Sequence, residues 1–101
     1  MKPRTITHYL LSTQAEADLG EIFDYTEQEF GQTQASSYLM GFDAIFNQLI
    51  LNPKSGRERR EIRANLRSII HSSHVIFYRI RTDHIRIIRV LHTSRDRSRF
   101  L

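Results

Sequence analysis

The chain has 101 residues, of which 40% are hydrophobic and 26% are charged. This length fits one domain, and the composition excludes a disordered chain. No apolar run approaches the roughly 18 residues that a membrane-spanning helix needs. The absence of cysteine excludes disulfides, thiolate zinc sites and cysteine nucleophiles. We therefore expect a single domain over residues 1–101 that resides in the cytoplasm.

The net charge of +4 is unevenly distributed along the chain. Residues 1–56 carry three basic and seven acidic side chains, a net charge of −4. Residues 57–101 carry twelve arginines and four acidic side chains, a net charge of +8. Arginine makes planar, bidentate contacts with carboxylates and phosphates. The asymmetry therefore indicates an acidic protein partner, a nucleic acid, or both.

The chain begins with a predicted strand and a predicted helix. Thr5–Leu11 is rich in β-branched and aromatic residues, which favours a strand. Ser12 and Thr13 are suitable helix caps, and Thr13–Glu16 has the spacing of a capping box. Apolar residues then recur at helical spacing until Gly31 ends the helix. Acidic residues occupy its other faces: Glu16, Asp18, Glu21, Asp24 and Glu27.

A second amphipathic helix is predicted directly after the first. It begins around Thr33 and ends at Asn52-Pro53. Because the link contains little more than Gly31, the two helices are expected to form an antiparallel hairpin over about residues 13–51.

The second half of the chain predicts a sheet. The charged stretch 57–63 follows a Pro/Gly loop and is expected to be exposed. Three β-rich runs follow over about residues 66–92, and their hydrophobic phase changes near Ile87-Ile88, which predicts a bulge or burial on both faces. Residues 93–101 form a basic tail. The fold class is thus α+β: an N-terminal strand, a two-helix hairpin and a three-stranded antiparallel sheet.

Several short motifs follow one another in a characteristic order. They are Ala17-Asp18-Leu19 with Ile22 and Tyr25, Gln34-Ala35 with Tyr38, Asn52–Arg57, Leu66-Arg67, Val75–Ile80 and Ile88–His92. Over about residues 11–96 this ordered set resembles the ParE branch of the RelE/ParE toxins. The stretch Arg89-Val90-Leu91-His92 is its most distinctive part.

The resemblance implies the RelE/ParE-like toxin fold and a toxin of a bacterial type II toxin–antitoxin system. Toxins of the ParE branch trap the cleaved DNA complex of DNA gyrase and block replication, without being enzymes. A ParD-like antitoxin neutralises them with a C-terminal helix and an extended segment. The implied partners are therefore gyrase and an antitoxin that forms a hetero-oligomer with the toxin. No membrane, cofactor or direct nucleic-acid contact is required.

The arginine-rich half of the chain supplies most candidate binding residues. The candidates for antitoxin binding are Arg57, Arg60, Arg67, Arg79 and Tyr25. Tyr25 departs from the apolar stripe of the first helix and is therefore expected at the surface of the hairpin. The candidates for target binding are Arg89, His92, Arg95, Arg97 and Arg99, of which the last three share one side if the tail is extended. The alternatives without a binding function are a solvated face or ion pairs with Glu58 and Glu61 for the basic stretch, and a frayed end for the tail.

A ribosome-dependent endoribonuclease of the RelE branch is the alternative function. In such enzymes basic residues stabilise the transition-state phosphate and a side chain moves the 2′-hydroxyl proton. The corresponding set here is His92, Arg89 and Arg67, with Glu61 as the candidate base and Arg79 as a further basic candidate. A structural role for His92 is favoured over this chemistry. The absence of any tyrosine after Tyr78 also disfavours a nuclease.

The pair His71 and His74 is the obvious candidate for a metal site in the sequence. A metal site needs three or more convergent ligands, and no local carboxylate completes one here. We therefore expect no metal and no cofactor.

Overall fold

The structure is a computed structural model that describes residues 5–95 and 97–101, with the side chains of Arg97 and Ser98 outside the description. Within these residues no helix has the length and apolar character needed to cross a membrane. The elements in chain order are β1 (His8–Leu11), α1 (Thr13–Phe30), α2 (Gln32–Leu51), a short 3-10 turn (Pro53–Ser55), β2 (Arg57–Glu58), β3 (Arg67–His71), β4 (His74–Ile80), β5 (His84–His92) and α3 (Arg97–Phe100).

The described strands form one five-stranded sheet in the order β1-β5-β4-β3-β2. The three predicted strands β3, β4 and β5 are its antiparallel centre. The α+β class is confirmed, but the sheet has five strands where three were predicted. The N-terminal strand joins it parallel to β5, with His8 opposite His84. The charged stretch after the Pro/Gly loop contributes the edge strand β2, with Arg57 opposite Ser68.

The helical hairpin forms as predicted, with one correction at its start. The Ser12 hydroxyl accepts a hydrogen bond from the amide of Ala15 at 2.9 Å, so Ser12 is the N-cap. The predicted capping box with Thr13 as its cap is therefore wrong by one residue. Gly31 is the single residue between the helices and has a φ of +91°, a conformation that other residues adopt only with strain.

Two hydrophobic cores lie on opposite faces of the sheet. The larger core packs the helical hairpin against alternate residues of β4 and β5 and includes Phe42, Phe46, Leu49, Ile76, Tyr78 and Ile87. The smaller core lies on the other face, where Ile62, Phe100 and Leu101 pack on Leu66, Val75, Phe77 and Leu91.

The predicted bulge in the last strand is present. Tyr78 pairs with Ile87, whereas the adjacent Phe77 pairs with Arg89, so Ile88 is the extra residue. The bulge moves the side chains that follow it to the opposite phase. As a result Ile87 and Val90 both contribute to the larger core.

The C-terminal tail departs from the extended conformation that would place its arginines on one side. Residues 97–100 form the short helix α3 instead. The tail folds back because Phe100 and Leu101 pack on the smaller core. The described backbone therefore does not place Arg95, Arg97 and Arg99 as alternating residues of a strand.

Candidate functional site

A cleft of about 610 Å³ lies between the helical hairpin and the C-terminal end of β5. Val90, Leu91 and His92 line it from the sheet, together with the turn Ser72-Ser73 between β3 and β4. Side chains of α1 and the first turns of α2 line its other side. We call this groove the hairpin cleft.

Two large apolar side chains of α1 are exposed in the hairpin cleft. Tyr25 is 64% exposed and Phe30 is 69% exposed. Ile22 lies one turn before Tyr25 on the same helix and is half-buried in the cleft. Neighbouring exposed aromatic residues beside a concave surface are typical of a protein-binding site.

The sheet side of the hairpin cleft is held by an ion pair between Asp18 and Arg89. The Arg89 guanidinium donates through Nε and one terminal nitrogen to the two carboxylate oxygens of Asp18, both at 2.8 Å. Asp18 also accepts a hydrogen bond from the amide of Val90 at 2.9 Å. The remaining terminal nitrogen of Arg89 donates to the carbonyl of Phe100 at 3.1 Å. One side-chain pair thus joins α1, β5 and α3.

The topology explains why an acid of α1 meets β5 at this point. Strand β1 pairs with β5 only as far as Ile87. Beyond that residue no other strand of the described chain pairs with this edge of β5, and the chain turns through Ser12 into α1. Asp18 supplies the acceptor for the amide of Val90 that a longer β1 would otherwise provide. The hydrogen bonds with Asp18 raise the pKa of the Arg89 guanidinium above its usual value.

A cluster of aromatic and histidine side chains lies beneath the cleft. The Tyr38 hydroxyl is hydrogen-bonded to Nδ1 of His74 at 2.8 Å, and the His71 ring stacks on Tyr38 with 5.2 Å between the centroids. His92 contacts His74 edge to face at 5.4 Å. Burial, with smaller contributions from His92 and His71, lowers the pKa of His74 to about 4. His74 is therefore neutral near pH 7 and acts as part of the packing.

A second cleft, of about 340 Å³, lies at the opposite end of the sheet. We call it the arginine cleft, because its charged lining residues are Glu58, Arg60, Arg67, Arg79 and Arg81. Arg67 donates to the carbonyl of Gly56 at 2.7 Å and forms an ion pair with Glu58 at 3.2 Å. Arg60 pairs with the same carboxylate group at 3.1 Å. Glu58 pairs with two of the four arginines, so the lining keeps an excess of positive charge that favours an anionic partner.

Seven of the predicted site residues line these two clefts. Tyr25, Arg89, His92 and Arg95 line the hairpin cleft. Arg60, Arg67 and Arg79 line the arginine cleft. Tyr25 is therefore separated from the arginines with which it was grouped as a candidate for antitoxin binding.

The remaining candidates lie at the sheet edge and in the tail. Arg57 is exposed and 3.8 Å from Glu61. The Arg95 guanidinium lies 4.9 Å from the centre of the Phe100 ring. Arg99 is exposed on α3. Arg97 lies in α3 with its side chain outside the described part of the chain.

The four residues of the alternative nuclease site are not brought together. On β4, His74 pairs with His92 and Tyr78 pairs with Arg67. These pairs are four residues apart, or about 13 Å along a strand. Arg89 is held by Asp18. Glu61 is paired with Arg59 at 2.8 Å.

Several residues of the site were not anticipated from the sequence. Asp18 was assigned to the polar side of α1, although it lies three residues after Ala15 and four before Ile22 on the apolar stripe, and it is buried. That spacing was an available signal. Phe30 has the helical spacing of the apolar residues of α1, but it lies at the end of the helix with its ring exposed. Arg59 belongs to the basic stretch for which exposure is predicted, but it is buried and donates to Ser68 at 3.0 Å.

Comparison with known proteins identifies the family. Residues 9–97 match the sequence profile described as ParE toxin of type II toxin–antitoxin system, parDE. Toxin ParE1 of Caulobacter vibrioides is 39% identical over 94 residues, which span 93% of this chain and 92% of that protein. Toxin ParE1 of Mycobacterium tuberculosis is 38% identical over 96 residues, 94% of this chain and 98% of that protein.

The fold has a counterpart among solved structures. The structure titled "Chromosomal ParDE TA system from P. aeruginosa" superposes with a TM-score of 0.74 over 87% of this chain and 96% of that chain. At 18% identity this likeness concerns the fold. The sequence matches carry the assignment, and the chain belongs to the ParE family of toxins of type II toxin–antitoxin systems.

Proposed function

We propose that this toxin inhibits DNA gyrase by binding it, without catalysing a reaction, and that a ParD-like antitoxin neutralises it. Membership of the ParE family supports the class of target. The separation of His92, Arg67 and Glu61 supports a non-enzymatic mode of action, because general acid–base chemistry requires its groups within hydrogen-bonding reach of one substrate.

The hairpin cleft is the observation that carries the antitoxin part of the proposal. Tyr25 and Phe30 present exposed rings beside a groove that ends at the free edge of β5. An amphipathic helix buries its apolar side chains in such a groove, and aromatic anchors supply most of the binding energy of interfaces of this kind.

The arginine cleft supports an acidic character for the rest of the antitoxin segment. Arg60 and Arg79 line a depression in which Glu58 is the acidic side chain among four arginines. Carboxylates of an extended segment would offset this charge and accelerate association. An apolar helix in one cleft and an acidic extension in the other together account for both surfaces.

A gyrase assay tests the proposed target. Purified toxin should inhibit supercoiling by the gyrase of its host and cause the cleaved DNA complex to accumulate, and the cognate antitoxin should reverse both effects. As a control, the same toxin is added to translating ribosomes, and the messenger RNA bound to them should stay intact. Full supercoiling in the presence of excess toxin, or cleavage of ribosome-bound messenger RNA, would overturn the proposal.

For antitoxin binding we expect Tyr25→Ala and Phe30→Ala each to weaken the complex by about tenfold or more, because each removes an exposed aromatic anchor from the hairpin cleft. Isothermal titration calorimetry measures the affinity. Met40→Ala is the matched control, since Met40 is 70% exposed on α2 and does not line the cleft. Equal losses for all three variants, or none, would contradict a docking site in this cleft.

A further inference from the structure

Three side chains that can ligate a metal meet at the start of β1 and β5, away from both clefts. The parallel pairing places His8 directly opposite His84. Asp83 immediately precedes His84 in the turn between β4 and β5. One ligand atom from each of the three residues lies within 4.8 Å of the ligand atoms of the other two.

Thr7 holds the ring of His8 in place at the start of β1. The Thr7 hydroxyl is hydrogen-bonded to Nδ1 of His8 at 2.8 Å and lies 3.3 Å from the carbonyl oxygen of Asp83. This contact engages Nδ1 of His8 and not Nε2.

The Asp83 carboxylate holds the ring proton of His84 on Nδ1. One oxygen of its carboxylate accepts a hydrogen bond from Nδ1 of His84 at 2.8 Å. A carboxylate on one imidazole nitrogen is the arrangement that orients a histidine for metal binding through its other nitrogen. In the part of the chain that the structure describes, Nε2 of His8 and Nε2 of His84 have no hydrogen-bond partner.

The rings of His8 and His84 stack on each other, with 5.4 Å between their centroids and 25° between their planes. Together with Asp83 they offer two imidazole nitrogens and one carboxylate oxygen in one small region of the surface. Imidazole nitrogen binds zinc, nickel and copper ions, whereas magnesium and calcium prefer oxygen ligands.

We propose that His8, Asp83 and His84 bind one divalent first-row transition ion, such as Zn²⁺, each through one ligand atom. Water or an external ligand fills the remaining coordination position. The bound ion links the N-terminal strand to the start of β5. Because the unfolded chain does not hold the two histidines together, metal binding stabilises the folded protein.

The test uses the full chain and zinc chloride. Calorimetry should give one Zn²⁺ per chain, and the temperature of unfolding should rise with zinc and return to its initial value after a chelator is added. His8→Gln and His84→Gln should each abolish the specific binding and the stabilisation. His92→Gln is the matched control, because His92 is an exposed histidine at the far end of β5 and should leave both unchanged.

Asp83→Asn removes the charged carboxylate of the site and keeps the size of the side chain. It should weaken zinc binding by about 10- to 100-fold while the circular dichroism spectrum stays native. An affinity equal to that of the wild type would reject the role of Asp83. Zinc binding by either His8 or His84 variant at wild-type affinity, or a fall in unfolding temperature with zinc, would overturn the site itself.

Discussion

Replacing Gly56 with alanine is expected to destabilise the protein by about 3 kcal/mol, because the new methyl group meets a ring that has no space to move. A Cβ at Gly56 would lie 2.6 Å from Cε1 of Tyr78 and still closer to its hydroxyl oxygen. The Tyr78 ring is fully buried in the larger core.

The Tyr78 hydroxyl also holds the loop that contains Gly56. It donates to the carbonyl of Pro53 at 2.7 Å and accepts from the amide of Gly56 at 2.9 Å. Moving the loop away to make room for a methyl group would break both hydrogen bonds inside the protein. Gly56 has a φ of −77°, which any residue can adopt, so the cost arises from the close approach and not from the backbone conformation.

Urea unfolding monitored by circular dichroism measures this effect. Gly20→Ala is the matched control, since a Cβ at Gly20 in α1 meets no described atom within 4 Å apart from its chain neighbours and the backbone of its own helix, and alanine favours a helix. The control should be more stable than the wild type by about 0.5–1 kcal/mol. An unfolding midpoint of Gly56→Ala at or above that of the wild type would show that the loop relaxes without involving Tyr78.

The parts of the fold that were predictable depend on local periodicity. Apolar spacing and Gly31 defined the hairpin, because a helix repeats every 3.6 residues and its stop signals are local. The bulge was visible as the phase change at Ile87-Ile88, since alternation along a strand is also a local property.

The parts that were not predictable depend on which segments meet in space. Nothing in Thr5–Leu11 specifies a parallel partner, and only the pairing of β1 with β5 brings His8 beside His84. Likewise, most of the basic stretch is exposed as predicted, but its charges did not indicate that Arg57–Glu58 forms an edge strand or that Arg59 is buried. Arginine composition reports net charge, but it does not reveal which guanidinium groups are already paired.

The same distinction applies to the candidate site. Tyr25 was correctly expected at the surface of the hairpin because it departs from the apolar stripe. Its separation from Arg60 and Arg79 follows from the sheet, which places the two clefts at opposite ends. Arg89 and His92 lie close together in sequence, yet Arg89 is engaged by Asp18 while His92 is exposed.

Removing Asp18 is expected to destabilise the protein by about 3 kcal/mol. The Asp18 and Arg89 side chains are only 10% and 13% exposed. In Asp18→Ala the guanidinium of Arg89 stays largely buried without its carboxylate, and the amide of Val90 loses its acceptor. Breaking such a pair costs more than the pair itself contributes, because one charge remains without a partner in a poorly solvated position.

The design of the experiment separates this pair from the general effect of losing an acid of α1. Asp24→Ala serves as control, because Asp24 is exposed on the same helix and should change the free energy of unfolding by less than about 0.5 kcal/mol. Asp18→Ala combined with Arg89→Ala completes a double-mutant cycle, in which the double variant should lose less than the sum of the single losses. Because Arg89 also holds the carbonyl of Phe100, we expect the double variant to remain less stable than the wild type. Additive losses would mean that Asp18 and Arg89 stabilise the edge of β5 independently, and that the ion pair does not join the helix to the sheet.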